Sequence, residues 1–277
     1  MFEDLHFLRE TIVDINAAVI GISSESWTDI PEKDVSIDQA ATIMRDNSFD
    51  ILPIKGASGI KKYFQTAKWN DFSTISRETI THRDVLPFTT SLRNLIRQFS
   101  EKSRNFYFLT NEHRIVGLVT IADLNCRQVK TYLFSLLSDF EIGLGNLVRQ
   151  TCTESESLQM TFDANQDTKF EETRYRYKAD KDNGVDVPFV EYLYLSDLIN
   201  LIAKKQLFKE LGYESRKQFE KAVGPLNELR KNVCHPVRSL ISGENCNKLW
   251  DHIDQLEEIL FVLRQRGGTI SAIKELI

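Results

Sequence analysis

The sequence predicts a mixed chain, with an α/β (α+β) domain over residues 1–130 and an all-α helical bundle over residues 131–277. Three observations lead to this prediction. Short apolar runs alternate with amphipathic stretches in the first domain, and the same order of elements occurs there twice. In the second domain the apolar residues recur at helical spacing. A stretch rich in both charges, about residues 153–186, interrupts the bundle and is expected to be an exposed insertion.

The first domain is predicted to run strand, helix, strand, strand, helix, in a repeat of about 60 residues. AAVIGIS, residues 17–23, is the first predicted strand. Ser36 is the expected N-cap of the helix that comes next. FDILPIK is the second strand, and its Pro53 indicates a sheet edge or a strand end. The second round gives a helix in SLRNLIRQFSEKS, strands in NFYFLT and IVGLVT, and a helix within IADLNCRQVKTYL.

Amphipathic helices are predicted throughout the second domain. Each carries an apolar stripe at helical spacing, and such stripes are stabilised when several helices bury them together. A small helical bundle satisfies this requirement. The four predicted helices lie within residues 131–150, 189–208, 218–235 and 249–263.

Charge and composition limit the classes of function. The net charge of the 277 residues is −5, so contact with RNA or DNA must come from a local patch. Neither a signal peptide nor a transmembrane stretch is recognisable, so a cytoplasmic protein without membrane contact is expected. The four cysteines contain no C-x-x-C pair, which predicts free thiols, and no metal site is predicted.

GLVTIADL, residues 117–124, suits a nucleotide. Thr120 follows a predicted strand and Asp123 falls in the first turn of a predicted helix, where free N–H groups favour phosphate. A threonine hydroxyl can donate to phosphate oxygens, and a carboxylate can accept from both hydroxyls of a ribose. The same Thr-x-x-Asp spacing is also typical of an ordinary helix cap with an acid at its third position.

The repeated unit closed by Gly-x-x-Thr-x-x-Asp resembles the CBS domain, two of which pair to form a Bateman module. The resemblance covers about residues 15–130. It implies an adenine nucleotide as a regulatory ligand, bound by Gly117, Thr120 and Asp123. The first repeat departs from the pattern, because Thr66 matches the threonine but Trp69 stands where the aspartate is expected.

LRKNVCHPVR, residues 229–238, marks the end of a predicted helix. His235 precedes a proline, and a residue in that position is forced out of the helical conformation. Metal-free RNA cleavage needs a base, an acid and positive charge on the phosphate. His235 can serve as base or acid and Arg230 can bind phosphate oxygens. The alternative is a helix end capped by cations.

An all-helical domain with R-x-x-x-x-H-P at the end of its third predicted helix resembles the HEPN superfamily. The resemblance covers about residues 131–265 and implies a metal-independent ribonuclease with Arg230 and His235 as catalytic residues. It also implies a homodimer in which each chain contributes one motif. Lys231 stands where the superfamily commonly has an asparagine. Further phosphate contacts are expected from Lys231, Asn232 and Arg238.

Together the two domains predict a nucleotide-regulated ribonuclease that acts on RNA, requires no cofactor and belongs to a toxin or defence system. Glu141 is a candidate for orienting the site, against the alternative that it is an exposed helix acid. A non-catalytic regulatory or scaffold protein that binds an adenine nucleotide is the second interpretation, and the departure at Lys231 favours it. An antitoxin-like partner of another enzyme is the third.

Overall fold

The computed structural model describes residues 15–67, 71–102, 104–153, 168–241 and 246–274. The fold is mixed α/β, 57% helical, with two small mixed sheets. The chain divides into two compact units. The first contains the described residues up to Val129 together with Cys246 and Asn247, and the second contains the remainder from Lys130 onward.

Two four-stranded sheets form the first unit, with strand orders β1-β8-β7-β6 and β2-β3-β4-β5. The strands are β1 Ile22–Ser23, β2 Ile30–Pro31, β3 Ile51–Gly56, β4 Gly59–Thr66, β5 Ile75–Thr79, β6 Val85–Pro87, β7 Phe106–Asn111 and β8 Arg114–Thr120.

The two sheets correspond strand for strand. β2 pairs in parallel with β3, which forms an antiparallel hairpin with β4. In the same way β6 pairs in parallel with β7, which forms an antiparallel hairpin with β8. A fourth strand completes each sheet, β5 beside β4 and β1 beside β8. The doubled order of elements predicted from the sequence is therefore confirmed in part, as two sheets that each combine a parallel pair with an antiparallel hairpin. The predicted first strand of the first repeat is misplaced, because Ile22–Ser23 pair with β8 of the other sheet and β2 lies beside β3 instead.

Within the described residues of the first unit, three α-helices accompany the sheets: α1 Ala17–Ile20, α2 Ile37–Asn47 and α3 Leu92–Lys102. The predicted cap at Ser36 is confirmed, because its hydroxyl accepts from the Gln39 amide while the Gln39 side chain accepts from the Ser36 amide. The prediction of a strand across AAVIGIS is wrong. Asn16 caps a single helical turn there, accepting from the Ala18 amide, and only Ile22–Ser23 are extended.

Two further predictions about the first repeat are wrong. Pro53 lies in β3, an interior strand between β2 and β4. A proline is tolerated at this position because β2 pairs only with Ile54 and Lys55, beyond it. The described residues between Thr66 and β5 form no helix, although the repeat predicts one at its close. β5, which the sequence analysis missed, completes the sheet instead.

Aromatic side chains connect the two sheets of the first unit. Tyr63 of β4 packs edge-on against Phe106 and Phe108 of β7, with ring centroids 5.4 and 5.3 Å apart. The two phenylalanines are themselves 5.7 Å apart. Such pairs each contribute about 0.5–1.5 kcal/mol beyond the area they bury. Burial also raises the pKa of the Tyr63 hydroxyl to about 12.

Helices make up the second unit, and each predicted amphipathic stretch contains an α-helix. In the stretch 189–208 the α-helix is confined to Leu195–Lys204, between the 3-10 turns Phe189–Tyr192 and Leu207–Leu211, so the prediction of one helix over its full length is wrong. The helices are α4 Arg127–Thr151, α5 Thr168–Asp182, α6 Leu195–Lys204, α7 Arg216–Cys234 and α8 Cys246–Lys274. Their apolar stripes are buried. Those of α4 and α7 consist of Leu133, Leu136, Leu137, Phe140, Leu144, Leu147 and Val148, and of Phe219, Val223, Leu226, Leu229 and Val233.

Small residues let α4 and α8 approach closely. A β-carbon at Gly143 of α4 would lie 2.8 Å from Cδ1 of Leu263 in α8. Beside it, Arg264 donates to Asp139 at 3.1 Å. Burial raises the pKa of Asp139, and the guanidinium of Arg264 opposes that shift.

The polar excursion is helical where it is described. α5 occupies residues 168–182, and Gly184 comes after it with φ of +79°, a conformation that glycine adopts without steric cost. Tyr177 anchors this helix by packing on Phe189 and Tyr192, with centroids 5.2 and 5.6 Å apart. Residues 154–167 of the predicted insertion lie outside the described residues.

Candidate functional site

The helix carrying the R-x-x-x-x-H-P sequence ends where the sequence predicts. Ser215 caps the start of α7, and Cys234 is its last residue. His235 is extended, with φ of −100° and ψ of 107°, because Pro236 comes directly after it. The imidazole of His235 is exposed, and so is Val237 at 97%. The histidine therefore lies at an accessible corner of the second unit.

Arg230 contacts an acidic side chain of another helix. Its Nε lies 3.4 Å from Oε2 of Glu141 in α4, and both side chains are about one-third exposed. The expectation that Glu141 is a solvent-exposed helix acid is therefore wrong. The carboxylate balances the charge of Arg230 and restricts the rotation of its guanidinium.

Lys130, which the sequence analysis missed, holds the turn after His235. Its Nζ donates to the carbonyls of His235, Pro236 and Arg238 at 3.1, 2.8 and 2.6 Å. The Arg238 amide also donates to the His235 carbonyl at 3.1 Å. No local sequence signal identifies this lysine, because it is 105 residues from His235 along the chain.

Helix α4 runs antiparallel to α7 at the site. Lys130, near the start of α4, meets the residues after the end of α7, while Glu141 meets the earlier Arg230. Eleven residues separate 130 from 141, about 1,100° of helical rotation at 100° per residue, so both lie on nearly the same face. One face of α4 thus contacts both predicted catalytic residues.

The three residues predicted to contact phosphate lie around this corner. Lys231 is exposed and forms an ion pair with Glu228 one turn earlier, at 3.2 Å. Asn232 is half-buried, and Arg238 is exposed while its carbonyl accepts from Lys130. Lys231 and Arg238 are therefore exposed cations four residues before and three residues after His235, and the charge of Lys231 is paired with Glu228.

The predicted nucleotide residues form a helix cap. Asp123 Oδ2 accepts from the Thr120 amide at 2.6 Å and from the Thr120 hydroxyl at 2.9 Å. This is the capping arrangement that the sequence left open as an alternative. Gly117 has a packing role, since a β-carbon there would lie 2.7 Å from the Ile22 carbonyl of β1. In the first repeat, Thr66 donates to Asp50, and Trp69 lies outside the described residues.

A second Thr-x-x-Asp pair, which the sequence analysis missed, lies at residues 81–84, in the turn before β6. Asp84 Oδ2 accepts from the Thr81 amide at 2.7 Å and from its hydroxyl at 2.6 Å, while Oδ1 is bonded to Arg104. Burial alone would raise the pKa of Asp84, but the bonds from Thr81 and Arg104 outweigh it and hold the pKa below its usual value. Asp84 is buried at 4% exposure, whereas Asp123 is half-buried.

Comparison with known proteins identifies no family. No family model matches the chain, and no curated protein matches it. Several solved structures resemble part of it, and two of them illustrate the level of similarity. A crystal structure of Hypoxic Response Protein I with two coordinated zinc ions is 20% identical, with a TM-score of 0.30, and the match covers 40% of this chain and 96% of that one. An uncharacterised conserved protein from Pyrococcus horikoshii is 17% identical, with a TM-score of 0.31, over 40% of this chain and 89% of that one.

Similarity at this level carries no inference about function, which must therefore be argued from the residues of the chain itself. Across the described ranges, none of the helices combines the length and apolar character that a bilayer crossing requires. In the same ranges, no three His, Cys, Asp or Glu side chains cluster as metal ligands. The four cysteines are free, and burial raises the pKa of Cys246 to about 11.

Proposed function

We propose that this protein is a nucleotide-regulated, metal-independent ribonuclease of the HEPN type that acts as a homodimer. The observation that carries the proposal is the end of α7. His235 is exposed directly after the helix, and Arg230 is held 3.4 Å from Glu141 within the R-x-x-x-x-H-P sequence. Both residues are secured by side chains of α4. Accessible imidazole, anchored guanidinium and nearby cations are the groups that phosphodiester cleavage needs.

The reaction uses the ribose itself as the nucleophile. A base removes the proton from the 2′-hydroxyl, and the oxygen attacks the adjacent phosphorus. The bond to the 5′-oxygen of the next nucleotide then breaks, and that oxygen takes up a proton. The products are a 2′,3′-cyclic phosphate and a 5′-hydroxyl. A neutral imidazole can act as the base and a charged one as the acid, so two copies of His235 across a dimer supply both.

Arg230 has the electrostatic role in this scheme. The pentacovalent phosphorus carries more negative charge on its oxygens than the starting diester, and a fixed cation stabilises it most. A guanidinium is planar and suits phosphate oxygens through two parallel bonds. Contact with Glu141 orients the group before RNA binds. Lys231 and Arg238 add positive charge along the path of the RNA backbone.

The first unit supplies regulation in this proposal, as a paired CBS-type module. Two sheets of matching strand order support it, and Thr120 and Asp123 are the residues that we propose to contact the nucleotide. Asp123 lies four residues before the start of α4, the helix that carries Lys130 and Glu141. An adenine nucleotide would change ribonuclease activity only if it binds two arrangements of the protein with different affinity.

The test is cleavage of single-stranded RNA in the presence of EDTA, with and without AMP, ADP or ATP. We expect the wild type to leave 2′,3′-cyclic phosphate ends, and His235→Ala and Arg230→Ala each to lower kcat/KM by about 100-fold or more. The matched controls are His113→Ala, an exposed histidine of the first unit, and Arg216→Ala, an exposed arginine of α7. Equal cleavage by all five proteins would assign the activity to a contaminant or another site.

A second candidate function is a non-catalytic nucleotide-binding regulator. Lys231 favours it, since a lysine paired with Glu228 occupies the place of the usual asparagine. A purified dimer whose melting temperature rises with an adenine nucleotide, but which leaves RNA intact with and without that nucleotide, would select this candidate.

A further inference from the structure

Lys130 makes an unusual set of contacts for a half-buried surface lysine. Its ammonium group lies 3.1, 2.8 and 2.6 Å from the carbonyl oxygens of His235, Pro236 and Arg238. An ammonium group has three N–H donors and no acceptor. Three carbonyls therefore match its donors one for one, and all three belong to the turn after α7.

The turn needs a donor from elsewhere in the fold. Many helices end with a glycine in the left-handed conformation, whose amide bonds back to the last turn. Here His235 is extended, and the next residue, Pro236, has no N–H. The Arg238 amide closes the turn on the His235 carbonyl at 3.1 Å. The ammonium group of Lys130 donates to three carbonyls of the same turn.

We propose that Lys130 is a positioning residue for His235. By fixing the backbone of residues 235–238, it fixes the position of the His235 α-carbon and the direction of the Cα–Cβ bond from which the imidazole projects. Glu141, on nearly the same face of α4, positions Arg230. One rigid helix thus sets the separation of the two groups proposed to act on phosphate. The catalytic meaning of this role rests on the proposed ribonuclease function, whereas its structural part rests on the three bonds alone.

The structural part is tested by amide hydrogen exchange in the full-length protein. Lys130→Met keeps the length of the side chain and removes its donors, and Lys130→Arg keeps donors. We expect exchange at the Arg238 amide to become at least about tenfold faster in Lys130→Met and to return toward the wild-type rate in Lys130→Arg. Lys217→Met, at an exposed position of α7, is the control and is expected to match the wild type.

The catalytic part is tested with the same three variants. Misplacing a catalytic group by about 1 Å can cost about 100-fold in rate, so kcat for RNA should fall by that order in Lys130→Met, with KM changed less than about threefold. Lys130→Arg should recover most of the activity. A purely structural role would not produce this split between kcat and KM.

The possible failures differ from one another. Unchanged exchange at Arg238 in Lys130→Met would overturn the positioning role directly. Faster exchange with unchanged kcat would show that the turn does not place a catalytic group. If the wild type itself leaves RNA intact, the ribonuclease proposal fails, and the exchange measurement alone then decides whether Lys130 holds the turn. Should Lys130→Met fail to fold, Lys130→Gln gives a second comparison, because its shorter, neutral amide has two donors and cannot replace the three charged ones.

Discussion

Oε2 of Glu141 lies 3.4 Å from Nε of Arg230, and this contact ties the arginine of R-x-x-x-x-H-P to a helix 89 residues earlier in the chain. Both side chains are about one-third exposed, so the pair contributes little to folding, at most about 1 kcal/mol. Its consequence is geometric. The guanidinium of a long flexible side chain is restrained by a carboxylate of α4, five residues before the exposed His235.

Removing the carboxylate is expected to reduce activity more than stability. Glu141→Gln should lower kcat/KM for RNA by about tenfold, since Arg230 loses orientation, and change the free energy of unfolding by less than about 1 kcal/mol. Glu220→Gln, which breaks the exposed pair with Arg216 in α7, is the matched control. Kinetics and urea denaturation measure the two effects. Wild-type kinetics in Glu141→Gln would mean that Arg230 does not depend on this contact.

Nucleotide binding is expected to depend on the Thr120–Asp123 pair. Asp123→Asn should weaken binding of AMP, ADP or ATP by at least about tenfold, because a neutral amide is a poorer acceptor for two ribose hydroxyls. Loss of the cap should cost about 0.5–2 kcal/mol of stability. Calorimetric titration measures the affinity, with Asp46→Asn on the exposed face of α2 as the control. Equal affinities in all three proteins would remove Asp123 from any nucleotide site.

Asp84 is expected to make the first unit sensitive to acid. Its pKa in the folded protein lies below the usual value, so the ionised carboxylate stabilises the folded state. This contribution to the free energy of unfolding is fully present above the unfolded pKa of about 3.9, and it is lost as pH falls through the lower pKa of the folded protein. Asp84→Asn should cost about 1–3 kcal/mol at pH 7, because Arg104 loses its partner.

Denaturation curves recorded from about pH 6 down to about pH 3, a range that spans the unfolded pKa, measure the free energy of unfolding of wild type and Asp84→Asn. The difference between these two free energies, here called the gap, should narrow as pH falls. Asp123→Asn serves as the comparison, since it removes the charge from the corresponding half-buried cap. A gap that stays constant over this range would contradict the lowered pKa.

Because α4 packs closely on α8, substitution by alanine is expected to have opposite effects on stability at two glycines of α4. A β-carbon at Gly143 would lie 2.8 Å from Leu263, whereas one at Gly145 would lie 3.9 Å from Val190, an ordinary contact. Gly145→Ala should therefore stabilise the protein by about 0.5–1 kcal/mol through helix propensity. Gly143→Ala should be less stable than the wild type. Adding Leu263→Ala should relieve the clash, which a double-mutant cycle measures. Equal stabilities of the two alanine variants would argue against this helix contact.

Several features of the fold depend on local sequence alone. The cap at Ser36 and the end of α7 at His235 are set by residues within four positions of each other, and both predictions are confirmed. The helices of the second unit are recognisable because an apolar stripe repeats with the period of the helix. The doubled order of elements likewise predicts two sheets of the same design.

The sequence by itself determined the helices, the repeat and the residue types of the candidate site. Only the tertiary structure decided that Pro53 lies in an interior strand, that β5 completes a sheet, and that AAVIGIS begins as a helical turn. Likewise, only the tertiary structure shows that Lys130 and Glu141 contact the end of α7. Helix caps and apolar periodicity act over a few residues, so they are visible as local sequence patterns. A contact between residues 89 or 105 positions apart depends on how whole helices pack, so no local sequence pattern reveals it.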